Sequence, residues 1–475
     1  MSASVVVAEY DAKQVTTEGV EVPHNIQEAA AQEARNSGEQ LSCSTAGSHR
    51  WDDGFAGTSW YAAVFLLINA ALGAGLLNFP QAFDRAGGLA VALSVQAVLL
   101  LFVVGSLLVL GGCAERTGGF ESYQRTVGLA CGGRLGALCS FLVALYCYGS
   151  CVAFLVIVGD FSDRVFASWY GTDYCLYWYM RRDVVTVLVA VVLVLPLCFS
   201  GTIDFLKYPS ALGVFAGLYL VGLVVAEYYT GHHPPAQTRA SPESAETVLS
   251  VVPVICFGYQ CHVSSVPIYG CLAKRSAFPR VVLVGVSLAA GLYTLTGVYG
   301  YRTFGRGVAG DVLELYDASR PTVLVAVVAM AAKVVATYPI LLFCGRMAVD
   351  DLYSGLPGGG APSARTGGKL RRRLVISSAW FCTTLGLACL VPSIGPVIRT
   401  IGSLAALFIF LFPGLCLVWM AGRTWTRLGM AVACVALGTF VFGQVLTASL
   451  LEAILGTGPA TELQLCRVPR LTRLV

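Results

Sequence analysis

Residues 69–80 read NAALGAGLLNFP and lie inside an apolar stretch that runs from about Thr58 to Ala82. Two asparagines, a Gly-Ala-Gly step and a proline are unfavourable in a membrane-length helix. Each glycine weakens a helix by about 1 kcal/mol, and Pro80 removes a backbone donor. The backbone is therefore predicted to unwind near Gly73–Leu77. In lipid, unwound backbone survives only where it lines a polar cavity. Free N–H groups at the start of a half-helix attract a carboxylate, and free C=O groups attract a cation. Close helix packing through small residues is the competing reading of the glycines. It leaves the asparagines and the proline without a role.

A second stretch repeats the pattern. SVVPVICFGYQCHVSSVP, residues 250–267, puts Pro253, Gly258, Gln260, His262 and Pro267 in the middle of another apolar segment. A donor cluster and an acceptor cluster built from two interrupted helices would fit the two ends of a zwitterion. Neither needs a buried side-chain charge, which is expensive in a membrane. His262 lies just beyond the second interruption and reads either as a pH-sensing group or as a satisfied histidine at an interface.

Further polar residues stand inside or beside apolar stretches. Lys333 precedes Thr337 by four residues, so the two share a helix face. An intramembrane lysine is functional or paired unless it snorkels. Asp160 and Asp163 read as an exposed loop, and Tyr146 and Tyr148 as aromatic packing, with substrate contact as the alternative for the tyrosines. Cys147 and Cys151 read as packing in preference to metal or redox chemistry. The 17 cysteines contain no CxxC zinc spacing, and Cys175 and Cys466 could pair. Arg371, Arg372 and Arg373 read as an orientation signal and lipid-facing anchor. YSGL, residues 353–356, matches a tyrosine sorting pattern of the kind that also arises by chance.

The elements that must hold these residues follow from composition. Of 475 residues, 56% are hydrophobic and 12% charged, and the mean hydropathy is +0.72. A soluble chain carries about a quarter charged residues. Apolar runs of about 20 residues alternate with short polar joints, the pattern of membrane helices. Eleven spans are predicted, at about 58–82, 88–112, 135–158, 184–201, 208–229, 247–271, 280–304, 322–345, 374–391, 398–420 and 428–451. The expectation is an all-α membrane protein with a transporter domain at 58–451. A disordered cytoplasmic tail at 1–57 precedes it, and a short tail at 452–475 follows.

With the N-terminus cytoplasmic, that side carries 18 lysines and arginines and the other side 12, which sets the orientation. The net charge of +4 therefore reflects topology and does not point to nucleic acid. Interruptions in spans 1 and 6 suggest two five-span halves, spans 1–5 (about 58–229) and 6–10 (about 247–420), with span 11 extra. Matching interruptions of this kind point to an inverted-repeat transporter. There is no phosphate-binding loop, no HExxH and no Ser/His/Asp grouping. The chain reads as a carrier driven by an ion gradient, not an enzyme, and without a cofactor.

NAALGAGLLNFP with the following AFDRAGG, CFGYQCHVSSVPIY (256–269), TGVYGYRTFG (296–305), TYPILLFCGR (337–346) and SLAALFIFLFPGLCL (403–417) resemble the sodium-coupled neutral amino acid transporters. These are solute carrier family 38, in the amino acid/auxin permease group, and the resemblance covers roughly residues 58–450. It implies a leucine-transporter-type fold of two inverted five-helix repeats plus one extra helix. It implies that Gly73, Ala74 and Gly75 offer amides to a substrate carboxylate and that Cys256 to Gly258 offer carbonyls to its ammonium. Phe257 or Tyr259 would close over the substrate. Sodium, the coupling ion, would lie between Asn69 and the backbone of Ala71 on one side and Thr337 on the other.

The resemblance also implies small neutral amino acids, glutamine and asparagine foremost, and a lysosomal membrane with the plasma membrane as the alternative. Lys333 departs from the pattern. It either replaces sodium, makes transport pH-sensitive, or points away into another crevice. With Asn69 and Thr337 in place, the expectation is retained sodium coupling with Lys333 turned away. Two alternatives stand beside the sodium symporter: a proton-coupled or uncoupled carrier on the same fold, and an amino acid sensor that signals to a cytoplasmic partner through the N-terminal tail.

Overall fold

The computed structural model describes residues 58–171, 176–199, 207–231, 236–239, 241–354, 366–391, 394–422 and 424–455. Among these the chain is helical, and its one extended pairing is a bridge between Thr58 and Leu272. The first span is a pair of helices, α1 (Trp60–Ala71) and α2 (Gly75–Arg85), bent by 62°. The second is α3 (Leu89–Thr117). Gly118, at φ 70°, ends α3 in a left-handed conformation that glycine takes without strain. A connecting helix, α4 (Tyr123–Cys131), starts at Ser122, whose side chain accepts from Arg125 N–H at 3.2 Å.

The third span, α5, runs over Gly133–Tyr170. It continues well past the expected end at 158, so Asp160 and Asp163 are helical residues and not a loop. Asp160 forms a 2.8 Å ion pair with Arg182. The fourth span is α6 (Arg182–Val189), a π-turn over Ala190–Val194, and α7 (Leu195–Cys198). Pro196, which lacks an N–H, stands where the ladder reverts to α geometry. The fifth is α8 (Lys207–Thr230).

The sixth span is α9 (Ala245–Gly258) followed by α10 (His262–Cys271). A capping box at Ser244 and Thr247 opens α9. Then come α11 (Phe278–Phe304), α12 (Pro321–Ser354) and α13 (Thr366–Leu390). The tenth span is α14 (Ile394–Ala406), a π-turn over Leu407–Leu411, and α15 (Phe412–Ala421). The last is α16 (Trp425–Leu455). Among the described residues, nine helices are long and apolar enough to cross a membrane, ten with the bent first pair counted as one span. The expected fourth span corresponds to α6, the π-turn and α7, a segmented run that is not among those ten.

Large apolar side chains stay exposed on the outer faces of α3, α11 and α16, among them Leu101, Leu283 and Trp425. In lipid these faces need no protein cover. The interior is closed by helices that touch through small residues. A Cβ on Gly402 of α14 would collide with the Pro253 carbonyl of α9, and one on Gly345 of α12 would collide with the Trp380 ring of α13.

One end of the bundle is covered by loops. Gly87, at φ 92°, turns the chain between α2 and α3, and a Cβ there would strike Pro242. Asp84 at the end of α2 pairs with Arg239 at 3.1 Å and accepts from Gly307 N–H at 3.0 Å. Asn78 donates to Gly310 O at 2.7 Å, and Gln81 to Val308 O at 3.3 Å. The polar face of α2 is thus satisfied by the segments at 236–243 and 305–316.

Several expectations concern peripheral residues. Tyr146 packs edge-to-face on Phe408 and Tyr148 on Trp380. Cys147 and Cys151 are buried thiols. Arg372 forms an ion pair with Asp350 and lies over the Tyr353 ring, while Arg373 donates to Phe199 O at 3.3 Å. These two arginines clasp neighbouring chain. Cys175, Cys466, the tails at 1–57 and 456–475, and Gly355 and Leu356 of YSGL lie outside the described residues.

Candidate functional site

The break in the first span is shorter and earlier than its sequence suggests. α1 ends at Ala71 and α2 begins at Gly75, so Leu72, Gly73 and Ala74 are the unwound residues. Leu76 N–H and Leu77 N–H bond back to Gly73 O and Ala74 O, each at 3.2 Å. This tight first turn closes the helix again before the proline is reached. Pro80 stands inside α2 and packs against Gly300, where a Cβ would come within 2.6 Å of its ring. The glycine therefore marks the break, and the proline shapes the helix that follows.

The break in the sixth span covers Tyr259, Gln260 and Cys261, between Gly258 and His262. The two breaks meet. A Cβ on Gly75 would fall 2.9 Å from Gly258 Cα and 3.4 Å from the Phe257 ring. A Cβ on Gly258 would fall 2.7 Å from Phe79 and 3.4 Å from Tyr293. Backbone crosses backbone here because neither residue has a side chain. Gly73 differs: a Cβ there would meet nothing nearer than Ala71 O at 3.9 Å, and Gly73 is half-buried where its neighbours are buried. The room beside the start of α2 therefore lies at Gly73. The side-chain direction of Gly75 is taken by the other break, which leaves only its N–H for a ligand.

The residues matched by the model for "Transmembrane amino acid transporter protein" are 56–455. The chain belongs to this family of membrane amino acid transporters.

The transporter is 37% identical to sodium-coupled neutral amino acid transporter 7 of Danio rerio over 85% of its own length and 90% of that protein's. It is 38% identical to the Homo sapiens protein of the same name, over 82% and 87%. Solute carrier family 38 member 8 of Homo sapiens is also 38% identical, over 82% and 93%. Its fold is shared with solved transporters of low identity. One is MhsT in complex with L-phenylalanine, at a TM-score of 0.50, 12% identity and coverage of 86% and 99%. Another is the Eremococcus coleocola manganese transporter with an aromatic bis-isothiourea compound, at 0.52, 14%, 89% and 93%. The fold is thus the expected one, and the transporter is a multi-pass membrane protein and not an enzyme.

At the crossing, the transporter carries a residue that motif reading passes over. Tyr293 of α11 is fully buried, and its ring stacks on Phe79 at 4.2 Å. Its hydroxyl lies 2.8 Å from Ala71 O and 2.9 Å from Gly258 O, and Gly73 N–H points to it at 3.5 Å. One oxygen thus touches both breaks. The available signal is a tyrosine at mid-depth of span 7, ahead of Tyr299 and Tyr301 near its end, whose polar tip must find a partner when buried. Tyr259 does not close over open space. It is buried against Phe79 and Tyr293, and its hydroxyl meets Gln96 Nε2 at 2.7 Å. Cys256 and Phe257 are buried beside it. Gln260 is buried, and neither end of its amide has a hydrogen-bond partner among the described residues.

The three expected sodium ligands of the transporter are each engaged. Ala71 O meets Tyr293, Thr337 Oγ1 donates to Lys333 O at 2.7 Å, and Asn69 Oδ1 lies against α8. Lys333 is not turned away. A Cβ on Gly213 of α8 would fall 3.3 Å from Asn69 Oδ1 and 3.4 Å from Lys333 Cγ. One on Gly217, a turn further, would fall 3.8 Å from Lys333 Nζ and 3.7 Å from Leu72. The two glycines form a groove along which the lysine runs from Asn69 toward the break in span 1. Its Nζ is buried without a hydrogen-bond partner among the described residues. His262 is elsewhere: fully buried on α10, it shares a 2.7 Å hydrogen bond with Ser106 of α3. The structure does not bring the two expected ion-coupling groups onto one pair of helices.

Proposed function

We propose that the protein is a secondary active carrier of small neutral L-amino acids, glutamine and asparagine foremost, that binds its substrate at the crossing of the two broken spans. The observation that carries this reading is the convergence of helix ends there. Carbonyls at the C-terminal ends of α1 and α9 approach one point, and the first donors of α2 lie beside it. Helix N-termini favour a carboxylate and C-termini an ammonium. Gly73, Ala74 and Gly75 take the carboxylate, with Gly73 offering the open approach. Cys256, Phe257 and Gly258 supply carbonyls for the ammonium. The unpaired amide of Gln260 supports a carboxamide substrate, because a buried polar group without a partner costs about 1–3 kcal/mol.

Coupling is to sodium in this reading, through Asn69, Ala71 and Thr337, as the relatives' names have it for those proteins. Lys333 favours a second reading. Its stem passes Asn69 and its ammonium lies a turn further along the same groove; in this reading the ammonium takes the place of sodium, and transport is proton-coupled or uncoupled. We place the protein in a lysosomal membrane with its N-terminus cytoplasmic, and divide it into a tail at 1–57, a transport domain at 58–451 and a tail at 452–475. The N-terminal tail is the segment available to a cytoplasmic partner.

The test is flux of labelled glutamine and asparagine into proteoliposomes, with and without sodium and with and without a pH gradient. Uptake that needs sodium supports symport. Full uptake without sodium supports the second reading. Binding without flux replaces both with a sensor.

A further inference from the structure

The Tyr293 hydroxyl is held by three backbone groups, and their chemistry is unbalanced. Ala71 is the last residue of α1 and Gly258 the last of α9. Their carbonyl oxygens lie 2.8 and 2.9 Å from one phenol oxygen. Each helix C-terminus carries a partial charge of about −0.5. A hydroxyl has one proton, so it satisfies one of the two carbonyls at a time. Two negative helix ends therefore converge on a point where a single neutral donor stands. An ammonium offers three donors and a full positive charge, and it serves both carbonyls at once with stronger, charge-assisted bonds; Ala71 O has two lone pairs and keeps one for the sodium assigned to it above. The same phenol oxygen accepts from Gly73 N–H at 3.5 Å. Gly73 is one of the amides assigned above to the substrate carboxylate.

We propose that the Tyr293 hydroxyl is a resident substitute for the substrate: it bridges the two breaks while the site is empty, and the incoming ammonium displaces it. The proposal rests on the reading that the crossing binds an amino acid. The hydroxyl is fixed to its ring, so displacement swings the Tyr293 ring on its side-chain torsions and slides it across Phe79, on which it is stacked. Displacement frees Gly73 N–H in the same step, so acceptors for the ammonium and a donor for the carboxylate become available together. With the hydroxyl in place, one of the two carbonyls at a time has a donor while the site is empty. A competitor of this kind lowers apparent affinity by the fraction of carriers in which it is in place. One hydrogen bond of ordinary net strength corresponds to about fivefold.

The experiment is equilibrium binding of labelled L-glutamine to purified full-length protein and to Tyr293→Phe, in saturating sodium. The probe is changed to the best-bound of the twenty amino acids if glutamine is not bound. The Phe variant is expected to bind about three- to tenfold more tightly. Des-amino glutamine (4-carbamoylbutanoic acid) has no ammonium to displace the hydroxyl and can gain only from the freed Gly73 N–H, so the variant is expected to improve its binding less than that of glutamine. Unchanged or weaker binding of glutamine by the variant overturns the proposal, since Tyr293 is then packing or a direct ligand. An equal gain for the des-amino probe also overturns it, as general loosening.

A second measurement does not depend on the variant's folding. The fluorine resonance of 3-fluorotyrosine placed at position 293 is expected to shift with glutamine and not with des-amino glutamine; the absence of that difference overturns the proposal. A wild-type protein that binds none of the twenty amino acids removes the substrate-site reading itself, and this proposal with it.

Discussion

Replacing Lys333 by methionine keeps most of the side-chain volume in the groove of Gly213 and Gly217 and removes the charge. Asn69 Oδ1 and Lys333 Cγ both lie within 3.4 Å of the point where a Gly213 Cβ would stand. An ammonium that comes within about 4–8 Å of a cation held at Asn69 repels it, at an effective dielectric of 20, by about 2–4 kcal/mol. Millimolar sodium binding is worth only about 4 kcal/mol, so the charge removes most or all of it. Lys333→Met is therefore expected to lower the sodium concentration for half-maximal glutamine flux by about 30- to 1,000-fold, at about 1.4 kcal/mol per tenfold. The assay is uptake into proteoliposomes across a sodium series balanced with choline, at fixed pH on both sides. A variant that transports glutamine at a normal rate with unchanged sodium dependence refutes the reasoning. The lysine and the ion would then not share one space.

Other expectations follow from distances at the crossing and in the covering loops. Gly75→Ala puts a carbon 2.9 Å from Gly258 Cα and is expected to abolish transport and lower thermal stability, whereas Gly73→Ala is expected to leave stability within about 0.5 kcal/mol while weakening glutamine binding; equal unfolding temperatures for the two variants would refute this. Arg239→Ala leaves the buried Asp84 carboxylate with Gly307 N–H as its remaining bond shown here, and is expected to destabilise by about 1–3 kcal/mol in detergent unfolding, with Arg239→Lys recovering part. Asp311, in the loop before α12, has its carboxyl pushed up to about 7 by burial, against the pull of Arg164. Because the folded state then holds a proton that the unfolded chain has released, stability is expected to fall as pH rises from about 4 to about 7 and to level off above that. Asp311→Asn is expected to flatten that part of the unfolding profile, and an unchanged slope would count against it.

How much of this is readable in the sequence depends on the range of the interaction. Span positions follow from runs of apolar residues, a local property, and the two interrupted segments follow from glycine, proline and amide residues inside those runs. The length of the first break does not follow, because local propensity treats Pro80 as a breaker. In the folded chain the turn at Gly73–Leu77 closes before the proline, whose ring then fills the space left by Gly300. Asp160 and Asp163 escape local reading for a related reason. Charge density suggests a loop, but the helix continues through both, and Arg182 from the next span supplies a partner for Asp160.

The sequence alone determined the solvent, the positions of the long apolar spans, the two places where backbone would be freed, and the family whose motifs those places carry. All of these are properties of one stretch of chain, and no other segment can change them. The tertiary structure decided which freed groups meet. It brought Gly75 against Gly258 and not against open space, set the Tyr293 hydroxyl between two helix ends, and laid Lys333 beside Asn69 in a groove made by two glycines of α8. Those pairings join residues far apart in the chain, and a buried polar group accepts whichever partner packing delivers. Residue type says that a partner must exist; only the packed helices say which one it is.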